Sequence, residues 1–383
     1  MYEQIIIGGG ASALMFGAFI EDKNKTLIVE HNPNLGAKIL ISGGGRCNFT
    51  NKIITPKAYL AQEQFLIPIL KSFDNNRVKE FFTSRGLEID IKNNTQYFCK
   101  KSAKDLLDIL KREIKGVNLA LEHKVLEVKK EKDIFIVVTN KREFRAKRVV
   151  VASGGLSYPK VGATDIGFKI AKDFGINVVS LKPALVGFTL QKEQHFFKEL
   201  SGVSLFARVE VNSRVFEDNI LFAHRGITGP AILNASLFWE KGEIKLNFLP
   251  NFDLKAISSN KSISNTLPLP KRFTKIFLQH IGLEDKIFSK LTPNERTKLH
   301  LLQNYTFAPA GTFGFSKAEV TKGGVDIKEI EASSLMSKKI KNLFFIGEVL
   351  DIAGIVGGFN FQFAFSSAVF CANWINKSKV SIK

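Results

Sequence analysis

Between Ile5 and Glu30 the chain reads IIIGGGASALMFGAFIEDKNKTLIVE, and no other stretch limits the fold so tightly. Three β-branched isoleucines run into Gly8-Gly9-Gly10. Small and apolar residues follow, with Ala11, Leu14, Ala18 and Phe19 on helical spacing. A second apolar run, Thr26-Leu27-Ile28-Val29, ends in Glu30. Strand, tight turn, helix and strand in that order predict a βαβ unit. An acidic residue twenty positions after Gly10 completes the pattern G-x-G-x-x-G/A of a dinucleotide site. In that pattern Gly8 permits the turn and Gly10 lets backbone N–H groups approach a pyrophosphate. Ala13 takes the place of a third glycine. Ala11 and Ser12 open the helix, whose N-terminus stabilises an anion. Glu30, followed by His31, is placed to accept from an unphosphorylated adenosine ribose.

Three further glycine-rich loops follow apolar or polar runs. They are Ser42-Gly43-Gly44-Gly45-Arg46-Cys47-Asn48, then Ser153-Gly154-Gly155 after Val149-Val150-Val151, and the stretch from Gly347 to Gly358 after Leu343-Phe344-Phe345-Ile346. Loops of this composition expose backbone N–H groups to a ligand. Ligands of a doubly wound sheet sit beyond the carboxyl ends of its strands. One long ligand touching all four loops is the economical reading, and FAD has that length. The first loop then takes the pyrophosphate, with Val125 offering backbone to adenine. Residues 42–48 pass the ribityl and ring region, with Lys38 close by in the chain. Glu348 or Asp351 accepts from ribityl hydroxyls. Gly357-Gly358-Phe359-Asn360 start a helix whose dipole stabilises negative charge on the ring.

The remaining patterns predict an α/β protein interrupted by an insert. Residues 56–86 read as helical. Glu88–Asp90 and Gln96–Cys99 read as a hairpin around Asn93-Asn94, and Ser102 as a helix cap before Leu106, Leu107 and Leu110. Residues 118–128, 134–139 and 144–152 read as a β-meander. From Val186 the pattern changes to strict alternation, as in Leu205, Ala207, Val209 and Val211, which predicts antiparallel strands. The expected division is a discontinuous FAD-binding Rossmann-like domain, 1–185 with 326–383, and an insert, 186–325. The insert comprises a β-barrel (186–251 and 305–325) and a helical part (252–304).

Composition narrows the function classes. The 383 residues carry 45% hydrophobic and 24% charged residues, globular values. Cys47, Cys99 and Cys371 are far apart in sequence, which argues against a disulfide framework or a metal site and fits a reducing cytoplasm. The uncharged run Ile352–Asn376 is long enough to span a membrane, but its glycines and amides favour a loop followed by a buried helix. The net charge is +19. A positive field attracts RNA, anionic lipid or acidic substrates. The basic residues are scattered, however, and the densest patch, Lys124–Arg148, holds few aromatics, so no specific nucleic-acid partner is expected.

The segments SGGGRCNFTN (42–51), SYPKVGATDIGFKIA (157–171), HRGITGPAIL (224–233), PAGTFGFSKAEVTKGGV (309–325) and IGEVLDIAGIVGGFNFQFAFSSA (346–368) carry a resemblance along essentially the whole chain. It is to the BaiN/YhiN-like flavoproteins, also called aminoacetone oxidase family FAD-binding enzymes or NAD(P)/FAD-dependent oxidoreductases. The resemblance implies an FAD domain split by an insert of a β-barrel and a small helical part. Its substrates range from unsaturated steroid-like compounds to small amines. This chain departs from the family pattern at GATDIGF (162–168), where a Gly-Asp-Gly order is expected, and in a shortened 252–304.

Three side chains are candidates for chemistry. Cys47 follows Arg46, a setting that can lower a thiol pKa, against which stands a packed, non-redox role. His224 and Arg225, on a turn of the insert, offer a proton donor and a charge partner, or simply a turn. The expected activity is hydride transfer from NAD(P)H, a transient co-substrate, through FAD to an unsaturated or carbonyl-conjugated small molecule. An amine oxidase using O₂ and an RNA-acting flavoprotein are the alternatives.

Overall fold

The computed structural model describes residues 1–380. The chain divides into two compact units, Met1–Lys182 with the residues from Val320 on, and Pro183–Glu319. The sequence placed the joints at 185/186 and 325/326. The strand Val320–Val325 pairs with Val178–Ala184 and so falls with the first unit.

The first unit is a Rossmann-like α/β domain. Its sheet runs, in spatial order, through Asn118–Ala120, Thr26–Val29, Tyr2–Ile7 and Glu143–Val151. The strand Glu143–Val151 explains how a meander joins a parallel sheet. Its first half alternates, with Phe144 and Ala146 buried and Glu143, Arg145 and Lys147 exposed. That half pairs antiparallel with Ile134–Thr139. Its second half, Val149-Val150-Val151, is wholly buried, pairs parallel with Leu343–Phe345, and has both faces covered. The opening strand runs parallel along most of its length, from Tyr2 opposite Ala146 to Ile7 opposite Val151.

The helix Ala11–Phe19 packs against the C-terminal helix Phe359–Val380. Toward the end of the helix Ala103–Glu113 the fit is tight as well: a Cβ on Gly17 would already meet Ile114 at 3.0 Å. Among the described residues no helix is long and apolar enough to cross a membrane.

Two expectations change here. Residues 56–86 are not one helix but Glu63–Ser72 and Asn75–Thr83. The break falls at Phe73-Asp74, where Asp74 accepts from Arg77 N at 2.9 Å and caps the second helix. Residues 118–128 are not one strand either. Glu122 adopts φ +57° and turns the chain between Asn118–Ala120, in the parallel sheet, and Val125–Glu131, in the meander. The hairpin Ile89–Lys92 and Gln96–Cys99 forms about Asn93-Asn94, both in the left-handed region, and Asn48–Asn51 adds a third strand.

In the insert, one antiparallel sheet passes through Tyr305–Phe307, Ile244–Asn247, Ser204–Val211, Arg214–Ala223, Gly226–Thr228, Phe188–Thr189 and Gly311–Thr312. The two end strands are joined by residues 308–310 alone. At ~3.5 Å per residue the sheet edges lie within about 14 Å of each other, so the sheet curls into an incomplete barrel. The helix Lys271–His280 closes it with Phe273, whose ring lies 4.9 Å from Phe248 and 5.6 Å from Phe222. The helix Pro230–Phe238, which begins inside HRGITGPAIL and runs past its end, was not foreseen; Pro230 opens it at its first turn.

The first unit is pinned by a buried amide. Gln362, on the C-terminal helix, accepts from Thr50 Oγ1 at 2.5 Å and donates to Phe73 O and Ser366 Oγ, both at 2.9 Å. Gln362→Ala is expected to lower stability by about 2–3 kcal/mol, the cost of leaving buried polar partners unmatched. Urea unfolding followed by circular dichroism checks this, and a loss below about 0.5 kcal/mol would contradict it.

Candidate functional site

The turn after the opening strand is built by close contact. Gly8 has φ +104°, and a Cβ there would sit 2.6 Å from Ala152 O. Gly9 N donates to Glu30 Oε2 at 2.6 Å, and Gly36 N donates to Gly9 O at 2.9 Å. Gly10 differs: a Cβ on it would meet nothing within 4 Å, and its φ of −85° suits any residue. The space is open, and no side chain caps the helix that starts at Ala11. The first-turn N–H groups of Ala11, Ser12 and Ala13 have no partner within the helix. An open helix start of this kind suits an anion.

Glu30 is buried and fixed. Besides Gly9 N, it accepts from Asn32 N at 2.8 Å, and His31 Nδ1 lies 3.0 Å from it. Its strand leads His123 N to Glu30 O at 3.0 Å, which brings residues 121–125 alongside. Val125 itself pairs with Thr139 in the meander. Ser153 lies against Gly8, and its buried hydroxyl has no hydrogen-bond partner among the described residues. That hydroxyl is turned toward Gly167, at the start of the helix Ile166–Asp173.

The second glycine loop is unusual in its backbone. Gly43, Gly44 and Gly45 have φ of +55°, +66° and +83°, and Cys47 has +41°. A Cβ on Gly44 would meet nothing within 4 Å, so this loop also has a free face. Ser42 donates to Ile39 O at 2.7 Å, and Arg46 lies 3.4 Å from Asp90. The Asn48 side chain lies 3.0 Å from Gln96. Leu40 and Ile41, just before the loop, are exposed.

The third and fourth loops are stitched together. Lys38 Nζ donates to Glu348 Oε2 at 2.7 Å and to Ser157 Oγ at 2.6 Å. Glu348 Oε1 accepts from Thr321 N at 3.0 Å and from Ser157 Oγ at 3.2 Å. Both oxygens of Glu348 are therefore engaged within the protein. A Cβ on Gly155 would strike Thr321 Oγ1 at 2.5 Å, whereas one on Gly154 would only graze Glu348 at 3.9 Å. Gly347 approaches Ser12, where a Cβ would lie 2.7 Å from Oγ. Burial raises the Asp351 carboxyl above its usual range, and the Asp326 charge pushes the same way, against a Gly323 N–H bond.

At the C-terminal helix, Gly357 and Gly358 have φ of +126° and +92°. Gly358 lies against the Thr50 carbonyl. The buried Phe359 stacks edge-on with Tyr59, whose hydroxyl donates to Phe359 O at 2.8 Å. The Asn360 amide is held in both directions by Gly354, at 2.8 and 2.9 Å, and so shapes the loop.

The chemistry candidates separate. Cys47 is fully buried, and burial first, then the neighbouring Cys99 thiol, pushes its pKa well above the usual value. That is the opposite of an activated thiolate, so Cys47 is a packed residue. His224 and Arg225 form the exposed two-residue turn between Ala223 and Gly226. The Arg225 guanidinium sits 5.6 Å from the Phe313 ring. Asp165 precedes the helix Ile166–Asp173 without capping it. Sequence reasoning missed Thr321, Asn32 and Gln362. Their signal was weak: each is a single uncharged polar residue whose partners lie far away in the chain or in the backbone.

Comparisons with known proteins identify the family. The family described as "HI0933-like protein Rossmann domain" matches residues 2–374. The chain is 36% identical to a ribosomal RNA dihydrouridine synthase of Escherichia coli, covering 99% of each chain. It is 29% identical to a 3-dehydro-bile acid delta(4,6)-reductase of Clostridium scindens, covering 94% of this chain and 96% of that one. Among solved structures, E. coli quinol fumarate reductase aligns over 100% of this chain and 71% of its own at 12% identity, with a TM-score of 0.52, a likeness of fold.

Wild-type protein is expected to purify yellow and to release FAD, not FMN, on denaturation. Gly10→Val should fold with a wild-type circular dichroism spectrum yet retain no flavin, because its side chain fills the open space without straining the backbone. A yellow Gly10→Val protein with full flavin content would rule out an anion site there.

Proposed function

The chain belongs to the HI0933-like Rossmann family of FAD-dependent oxidoreductases, and from that premise we propose that it reduces a uridine of ribosomal RNA to dihydrouridine with electrons from NAD(P)H. The observation that carries this reading is the match to the rRNA dihydrouridine synthase over 99% of both chains. The charge of +19 supports it, since a polyanionic substrate gains from a positive field. Sequence alone ranked a free small molecule above RNA. The relatives' names change the ranking and keep the chemistry. The C5–C6 double bond of uracil is conjugated to the C4 carbonyl, so uridine is itself a carbonyl-conjugated acceptor. The bile-acid reductase is named for double bonds in a 3-keto steroid, the same electronic class.

FAD, when bound and reduced by NAD(P)H, would supply the hydride. The N–H groups at Ala11 and Ser12 would hold its pyrophosphate, Glu30 its adenosine ribose, and the loops at Gly43–Gly45 and Gly357–Phe359 its ring end. Hydride addition at C6 leaves negative charge spread over C5 and the C4 oxygen, and a proton must reach C5. In this reading His224 donates that proton and Arg225 stabilises the charge. The second reading, a free unsaturated ketone as acceptor, rests on the bile-acid relative.

The test is direct. Ribosomal RNA from cells lacking this protein is incubated with the flavoprotein and NADH or NADPH, then digested and its nucleosides weighed by mass spectrometry. Dihydrouridine is the expected product. His224→Ala should reduce the flavin at the wild-type rate and slow dihydrouridine formation by ~10²-fold. Absence of dihydrouridine, with rapid turnover of a free enone, would give the second reading the field. A His224→Ala protein with wild-type rates in both half-reactions would make that turn structural.

A further inference from the structure

We propose that the insert carries a docking platform for single-stranded RNA where the 3₁₀ helix Lys192–Leu200 lies against the helix Lys271–His280. An unpaired base stacks on the His280–Phe196 ring pair while Lys192, His195 and Lys198 hold successive phosphates. The proposal rests on the reading of RNA as substrate and names the surface that recognises it.

The 3₁₀ helix sorts its residues into three faces. Gln194, Phe197 and Leu200 are buried, and Lys192, His195 and Lys198 are exposed. With three residues per turn and a rise of ~2 Å, such a stripe repeats every ~6 Å. That spacing is comparable to the distance between phosphates along an extended strand. The two lysines are uncommitted: among the described residues no carboxylate pairs with either, whereas Arg208 is paired with Glu217 and Lys286 with Glu295. Glu193 and Glu199 fall on the third face, with Phe196, and leave the cationic stripe free of acid.

The ring pair is the second element. Phe196 and His280 stack face to face, centroids 3.7 Å apart and planes 14° from parallel. His280 is exposed and ends its helix, while Phe196 is half-buried. Beneath them Phe197 packs 4.3 Å from Phe196, with Phe277 and Tyr305 each 6.3 Å away. The stack is thus immobilised from below. Arg272 fixes the junction by donating to the carbonyls of Glu199 and Ser201. An aromatic surface already held rigid loses little entropy when a base settles on it. Burial against the rings keeps the His280 pKa below its usual value, so the imidazole stacks as a neutral ring. Uncommitted cations beside a rigid aromatic face make up the general recognition device for single strands.

The test uses the full-length flavoprotein and a fluorescent uridine-rich RNA strand, with binding followed by anisotropy across a salt series. Lys192→Ala/Lys198→Ala should weaken binding and reduce the slope of log K against log salt by ~1.4, two single-strand phosphate contacts. His280→Ala should weaken binding ~10-fold or more with little change of slope, and His280→Phe should restore it. All three variants should keep wild-type flavin content and wild-type reduction of a free enone. If the variants bind RNA and form dihydrouridine as the wild type does, the platform is wrong and the substrate reading stands. If the wild type neither binds the strand nor forms dihydrouridine, both fall.

Discussion

The bond from Gly9 N to the Glu30 carboxylate, 2.6 Å long, is the contact around which the first unit is arranged. A buried carboxylate is costly unless its oxygens are matched by donors. Here the donors are the backbone of the glycine turn and of Asn32. The same residue passes its carbonyl to His123, so the turn, the second strand and the entry to the meander are tied at one point. Charge satisfaction thus fixes the loop before any ligand arrives. The face of the loop that Glu30 does not use, at Gly10, remains open.

Glycine serves two ends at these loops, and the neighbours of an imagined Cβ tell them apart. At Gly8, Gly155 and Gly347 it would collide with Ala152, Thr321 and Ser12. Those glycines exist because segments meet there at backbone distance. At Gly10 and Gly44 it would enter empty space. At these latter positions there is room beside the backbone for something outside the chain. The closed contacts explain why the ends of Tyr2–Ile7, Glu143–Val151 and Leu343–Phe345 converge, and the bridge from Lys38 to Glu348 and Ser157 holds them there.

Much of this was legible in the residues because the relevant physics is local. The run Ile5–Glu30 specifies its own turn, helix and strand, and the alternation around Leu205–Val211 specifies a half-buried strand. What escaped was set by distant partners. The double life of Glu143–Val151 depends on which strands lie beside each half. The break at Glu122 depends on a left-handed backbone that its side chain does not announce. Cys47 reads as electropositive from Arg46 beside it, yet its environment is decided first by burial and then by Cys99, fifty-two residues on and adjacent in space. The partners of Glu348, Lys38 and Thr321, are likewise visible only in the fold.

The two acceptor classes named among the relatives place one demand in common and one apart. A uracil ring and an unsaturated ketone both accept hydride at the carbon β to a carbonyl, and both need a proton delivered next to it. The loops that would hold the hydride donor can therefore be the same for both. The acceptors differ in what surrounds that reactive pair: a steroid presents apolar surface, a ribosomal strand presents phosphates and neighbouring bases. Discrimination must then come from residues outside the glycine loops. The insert has the residue types for it, with Lys192 and Lys198, which pair with no carboxylate among the described residues, a supported aromatic stack on its surface and a phenylalanine-rich interior beneath. Under the proposed reading, the glycine loops would govern which bond is reduced and the insert which molecule carries that bond.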